Sequence, residues 1–127
     1  MSRVVLDASA ILAVLNREPG AERVLPHVMN TVASAVNLAE VQGKLVSRGI
    51  PRDEAWEASI SVVQELVAFD GEQAALTGSL LPETKPFGLS LGDRACLALS
   101  MVLKAPVYTT ERAWKSLRLG IQVHVIR

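Results

Sequence analysis

The chain contains short runs rich in apolar residues at 3–6, 31–35, 106–109 and 121–126, and helical patterns fill the spaces between them. The first of these, around Val4-Val5-Leu6, has no polar position facing either side. A strand without polar alternation is buried on both faces, which happens when helices cover both sides of a parallel sheet. Parallel neighbours also need long crossovers, and helices supply them. The pattern therefore predicts an α/β fold in three layers, α/β/α, with a short, mainly parallel central sheet flanked by helices.

The helical segments follow from spacing and punctuation. Residues 8–16 form a helix that stops before Pro19-Gly20, and a second short helix covers 21–29. Residues 36–47 place Leu38, Val41 and Leu45 on one face, with Gly49 as a stop. Pro51 and Asp53 open an amphipathic helix over 53–67, with Trp56, Ile60, Val63 and Val67 at helical spacing. Residues 72–81 make another helix, followed by a loop from Pro82 to Gly88. Leu91 to Leu103 is apolar on nearly every face and reads as a central buried helix; residues 111–116 form a short one. No linker, repeat or low-complexity tract divides the chain, so residues 1–127 read as a single domain.

Composition excludes several classes. Half of the residues are apolar and 20% are charged, which a disordered chain does not show. The single cysteine, Cys96, forms no internal disulfide and reads as a small buried hydrophobe, consistent with a reducing cytoplasm. Arg3 and the apolar residues after it are interrupted by Asp7, unlike a signal peptide. No apolar run approaches the roughly 20 residues that span a bilayer. Net charge is zero, yet residues 1–103 hold 8 basic and 12 acidic side chains, whereas residues 104–127 hold 5 and 1. The basic C-terminal end is suited to lie beside a phosphate backbone.

Four acids occupy related positions: Asp7 at the end of the first strand, Glu40 one turn after Asn37, Asp93 in the first turn of the apolar helix, and Glu111 after the strand 106–109. Each also has an ordinary structural role. Asp7 suits a helix N-cap, and Asp93 a capping box with Ser90. Glu111 repeats the cap theme, and Glu40 shares a solvated stripe with Asn37, Lys44 and Arg48. Together they carry more weight, because a parallel sheet collects ligand groups at the carboxyl ends of its strands. Two carboxylates about 4 Å apart repel by about 4 kcal/mol at an effective dielectric of 20. A converging set therefore calls for protons or a hard cation such as Mg²⁺ or Mn²⁺. His27 and His124 have no ligand spacing that would favour zinc.

The blocks DASA at 7–10, NLAEV at 37–41, LGDRACLA at 91–98 and TTERAW at 109–114 resemble, in order and spacing, the acidic blocks of PIN domains. The chain is similar in length to VapC toxins of toxin–antitoxin pairs. The resemblance implies a metal-dependent ribonuclease that leaves 5′-phosphate and 3′-hydroxyl ends. It also implies a homodimer inhibited by a cognate VapB-type antitoxin. By position it makes Asp7, Glu40, Asp93 and Glu111 the metal-binding, catalytic acids, with Ser9, Asn37 and Thr109 as polar groups supporting them. Arg112 and Arg94 are candidates to contact phosphate. Glu111 departs from the aspartate more usual in the family, which places a second metal in doubt.

Two other readings compete. A phosphoaspartyl phosphatase would use Asp7 as nucleophile, but it wants a second aspartate where Ser9 stands. A catalytically silent PIN-like module would bind RNA or protein without cutting. The segments 53–67 and 72–81, with Trp56 and Phe69, are candidates for a dimer face or antitoxin groove, and equally for core packing.

Overall fold

The computed structural model describes residues 2–127. Five parallel strands form one sheet in the order β3-β2-β1-β4-β5. They are β1 (Val4–Leu6), β2 (Thr31–Ser34), β3 (Glu65–Val67), β4 (Val107–Thr109) and β5 (Val123–Val125). The helices are α1 (Ala8–Leu15), α2 (Ala21–Val24), α3 (Ala35–Ser47), α4 (Arg52–Ser61), α5 (Gly71–Ser79), α6 (Leu81–Thr84) and α7 (Leu91–Leu103). The expected α/β architecture with a parallel sheet between helices is what the chain forms.

Alternation within the strands separates two cores. Val4, Leu6, Ala33 and Tyr108 point to the side covered by α1, α3 and α4, where they pack with Ile11, Leu38, Val41 and Leu45. Val5, Val32 and Val107 point the other way and meet Cys96, Leu97 and Leu99 of α7, along with Trp114. Each fully buried Leu or Ile in these layers contributes about 1.5–3 kcal/mol of transfer free energy. The centre of the sheet is thus dry on both faces, and polar groups are confined to the strand ends.

Two helices begin with no intervening loop. Asp7 directly follows β1 and caps α1, its Oδ1 accepting the Ala10 N–H at 2.8 Å. Ser34 ends β2 and caps α3, its Oγ accepting the Val36 N–H at 3.2 Å. On the opposite layer, Ser90 and Asp93 form the expected capping box at the start of α7. All three caps are also members or neighbours of the acidic blocks.

Three local expectations are corrected. The helix over 53–67 ends at Ser61, and residues 65–67 become edge strand β3, with Val32 opposite Glu65 and Ser34 opposite Val67. The β-branched pair Val62-Val63 disfavours further helix, while β2 offers an open row of backbone groups that must find partners. The Gln64 N–H begins that pairing on the Thr31 carbonyl at 3.0 Å. The helix expected over 21–29 stops at Val24 and continues as a 3-10 turn to Asn30, because Pro26 lacks the N–H an α-helix needs. The loop expected after Pro82 begins instead as α6, with Pro82 in its first turn, where a missing donor does no harm. Residues 112–116 are a 3-10 turn, and Trp56 packs against the first core.

Candidate active site

Asp7 is the organising residue. Its side chain is almost fully buried at the carboxyl end of β1. The Ser9 hydroxyl donates to Oδ1 at 2.7 Å, beside the bond from Ala10, and the Thr109 hydroxyl donates to Oδ2 at 2.6 Å. Both donors are themselves fixed. Ser9 Oγ accepts the Thr110 N–H, and Thr109 Oγ1 accepts the Glu111 N–H, each at 3.0 Å. Asp7 thus joins the start of α1 to the end of β4. Burial nonetheless dominates its ionisation: loss of water raises the carboxyl from an ordinary 3.8 to about 6, against the downward pull of Thr109, Ser9 and Ala10, and the Asp93 charge adds to the rise.

Glu40 and Asp93 approach from the two helical layers. Asn37, buried on α3, donates through Nδ2 to Glu40 Oε1 at 2.9 Å and to the Gly92 carbonyl of α7 at 3.0 Å. This one amide group fastens Glu40 to the first turn of α7. The Glu40 carboxyl rests so closely on Gly92 that a Cβ there would collide with it. Asp93 is half-buried, and its Oδ2 accepts the Ser90 N–H at 2.9 Å. Beneath these groups lies Cys96, whose thiol is pushed well above its ordinary range by burial and then by the charges of Asp7, Asp93 and Glu40.

Asp7, Asp93 and Glu40 thus all lie near enough to act on the Cys96 thiol, whereas Glu111 does not. Glu111 is exposed and borders a separate cleft with Ser9, Lys44 and Arg48. Among the described residues, no group of three or more His, Cys, Asp or Glu side chains closes tightly enough to hold a metal ion as it stands. The convergence of all four acids expected from the sequence is not present. Asp93 is turned onto its own helix start, and Glu40 is drawn to Asn37.

The donor chemistry still fits a hard cation. Glu40 Oε2 and Asp93 Oδ1 accept no hydrogen bond among the described residues. Asn37 Oδ1 is buried without a partner, an uncommon state for an amide oxygen. All of these are oxygen ligands of the kind Mg²⁺ and Mn²⁺ take. The sulfur beneath the acids, Cys96, is held as a thiol and offers no soft ligand.

Ser9, Asn37 and Thr109 all touch the acids, as sequence position suggested. Arg94 lies elsewhere. Its Nη1 donates to the Thr77 carbonyl of α5 at 3.1 Å and its Nε is buried without a partner among the described residues, so it ties α5 to α7. Arg112 is exposed, and its Nε donates to the Arg127 carbonyl at 3.2 Å. Gly92 was not singled out from the sequence. A glycine inside the first turn of a helix is the signal that marks it, since it costs helix stability unless something must approach closely.

Residues 4–118 match the PIN domain. Solved structures with the same fold include a toxin–antitoxin complex from Klebsiella pneumoniae, with TM-score 0.75 and 16% identity over 98% of each chain. DNA-bound VapBC from Salmonella typhimurium superimposes with TM-score 0.73 and 19% identity, again over 98% of each chain. Mycobacterium tuberculosis VapC20, described as a sarcin–ricin-loop-cleaving toxin, gives TM-score 0.73 and 17% identity over 91% of this chain and 96% of its own. No curated protein matches the sequence.

Proposed function

The chain belongs to the PIN-domain family, and from that premise we propose that it is a metal-dependent endoribonuclease, the VapC-type toxin of a toxin–antitoxin pair. The observation that carries the reading is Asp7: a carboxylate buried at a strand end, with Asp93 and Glu40 acting on the same buried thiol. An enzyme has reason to maintain such a charge where a cation and a phosphate will meet it. The VapBC complexes among the structural relatives support a VapB-type antitoxin as partner, and a cytoplasmic setting fits the family reading. A homodimer fits the family reading. Among the described residues, no helix is long and apolar enough to cross a membrane.

Asp7, Asp93 and Glu40 would hold Mg²⁺ or Mn²⁺, with Asn37 Oδ1 beside them. When bound, the cation lowers the pKa of water and offsets charge on the phosphate. The protein's own groups set the geometry. Ser9 and Thr109 fix both oxygens of Asp7, and Asn37 fixes Glu40 against α7, leaving Glu40 Oε2 to orient the attacking water. The water oxygen would form a bond to phosphorus as the bond to the 3′ oxygen breaks, its proton passing to Glu40 Oε2 while the 3′ oxygen takes a proton from solvent, giving a 5′-phosphate and a 3′-hydroxyl. Glu111, exposed in the cleft beside Ser9, would take no part in holding that cation.

The test is cleavage of a structured RNA by the purified chain, with wild type beside Asp7→Asn. Cleavage should need Mn²⁺ or Mg²⁺, stop with EDTA, fail to return with Zn²⁺ and be lost in the variant. Equal cleavage by both proteins, or cleavage indifferent to chelator, overturns the reading. No cleavage by either protein in Mn²⁺ favours the catalytically silent module, whose support is the open arrangement of the acids.

A further inference from the structure

The basic C-terminal end noted in the sequence is not scattered over the surface. Arg112 and Lys115, from the 3-10 turn after β4, line one cleft with Arg127 at the chain end and Arg23 from α2. No acidic side chain lines that cleft among the described residues. Arg23, Arg112 and Lys115 are exposed, and none forms an ion pair among the described residues. Arg127 spends one nitrogen on Glu18 at 2.8 Å, and its carbonyl receives Arg112.

Shared walls connect this cleft to its neighbours. Arg127 also borders the cleft that holds Ser9, Glu18, Lys44, Arg48 and Glu111, and Ser9 is bonded directly to Asp7. In the other direction, Arg23 and Lys115 also line a cleft with Tyr108 and His124. His124 stacks on Tyr108 with ring centroids 4.7 Å apart, and Tyr108 meets His27 through a 3.2 Å contact from its hydroxyl to Nε2. The basic cleft thus connects through Arg127 to the cleft beside Ser9, where Lys44 and Arg48 face Glu18 and Glu111, on a chain whose net charge is zero.

Like charges collected without counter-charges repel one another, and a neutral protein has no general electrostatic reason to concentrate them. A polyanion passing the acids solves two problems. It neutralises these cations, and its affinity for them holds a phosphate near carboxylates that would otherwise repel it. We propose that the Arg23–Arg112–Lys115 cleft binds the sugar-phosphate backbone of the RNA strand flanking the cut, with Arg127 joining it to the cleft beside Ser9. The proposal rests on the ribonuclease reading for the identity of the polyanion and adds the path it takes. Contacts of this kind fix position and carry no sequence information, so they extend to any RNA that reaches the acids.

The test uses the Asp7→Asn chain, which holds RNA without cutting it, and a fluorescein-labelled single-stranded RNA. The triple substitution Arg23→Gln, Arg112→Gln and Lys115→Gln is added to that chain. Each phosphate contact to a single strand contributes about 0.7 to the slope of log affinity against log salt. The triple variant should lower that slope by about 2 and weaken binding about a hundredfold at 0.1 M salt. Thermal melting should be little changed, since these side chains are exposed, form no ion pair among the described residues, and lose only the surface bond from Arg112 to the Arg127 carbonyl. An unaltered slope and affinity overturn the proposal, as does an absence of RNA binding by the parent chain. Loss of binding to polyglutamate with RNA binding intact also overturns it, and marks a protein-docking surface instead. Cleavage of RNA by the wild-type chain in Mn²⁺ is scored separately, so failure of the path and failure of the ribonuclease reading give different results.

Discussion

Replacing Asp7 by asparagine should remove activity and stabilise the protein, and the stabilisation should depend on pH. In the folded state the carboxyl ionises at about 6, against 3.8 ordinarily. The folded chain therefore holds a proton that the unfolded chain has released, and stability falls as pH rises through that window. The contribution is fully present below pH 3.8 and lost above about 6. Moving the ionisation that far costs about 3 kcal/mol once Asp7 is charged. Asparagine keeps the Oδ1 contacts from Ser9 and Ala10, but its Nδ2 faces Thr109 Oγ1, whose hydroxyl must then turn, for example toward Ser9 Oγ 3.4 Å away. That rearrangement costs about 1 kcal/mol and leaves a net gain of about 2 kcal/mol. For a chain of this size the gain corresponds to a Tm higher by about 8 °C. The assay is thermal melting of both proteins in EDTA across pH 4 to 8. The difference should be near zero or reversed at pH 4 and reach its maximum by pH 7. A difference of constant size at every pH would refute the argument, because it would show that burial of the charge is not what strains this site. Mn²⁺ should then raise the wild-type Tm and leave the variant unchanged.

Gly92→Ala should separate the site from the fold. Helix propensity gains about 1 kcal/mol, and the displaced group is the flexible end of Glu40, so Tm should hold or rise while Mn²⁺ affinity, read by calorimetry, falls. Thr109→Val removes the donor to Asp7 Oδ2 and the acceptor for the Glu111 N–H in a fully buried position. It should cost about 1–3 kcal/mol, and more at pH 8 than at pH 5, because the ionised carboxylate loses a bond that lowers its pKa; melts at the two pH values check this. Glu111→Gln should reduce RNA cleavage less than Asp93→Asn does, since Glu111 is exposed and is not among the charges acting on Cys96; initial rates in Mn²⁺ decide.

The elements legible in the sequence were those where local pattern and tertiary context agree. Val4-Val5-Leu6 and the apolar run of α7 could only be buried, and Ser90 with Asp93 spelled a cap that the structure contains. Edge strand β3 was not legible, because Glu65-Leu66-Val67 continues a helical spacing and is recruited by the open edge of β2, a long-range cause. The site divides in the same way. Asp7 with Ser9 is a local arrangement that sequence shows, and Thr109 follows once two strands are taken as neighbours. The contact of Glu40 with Gly92 depends on how closely α3 and α7 approach across the sheet edge, and no spacing encodes that distance. Adjacency to Asp93 along a helix turns Arg94 to a different side, where it bonds the Thr77 carbonyl of α5.

The bonds that complete Asp7 also set when the site can exist. Thr109 and Asp7 are 102 positions apart, and Ser9 and Thr110 are 101 apart. Closing so long a loop is among the slower steps of folding. During synthesis from the N-terminus, Asp7, Glu40 and Asp93 all leave the ribosome before the strand that supplies Thr109. A nascent or truncated chain ending before β4 carries the three acids but lacks the hydroxyl and the neighbouring strand that hold Asp7 in place. On the ribonuclease reading proposed above, the site thus stays incomplete during synthesis until β4 has been added.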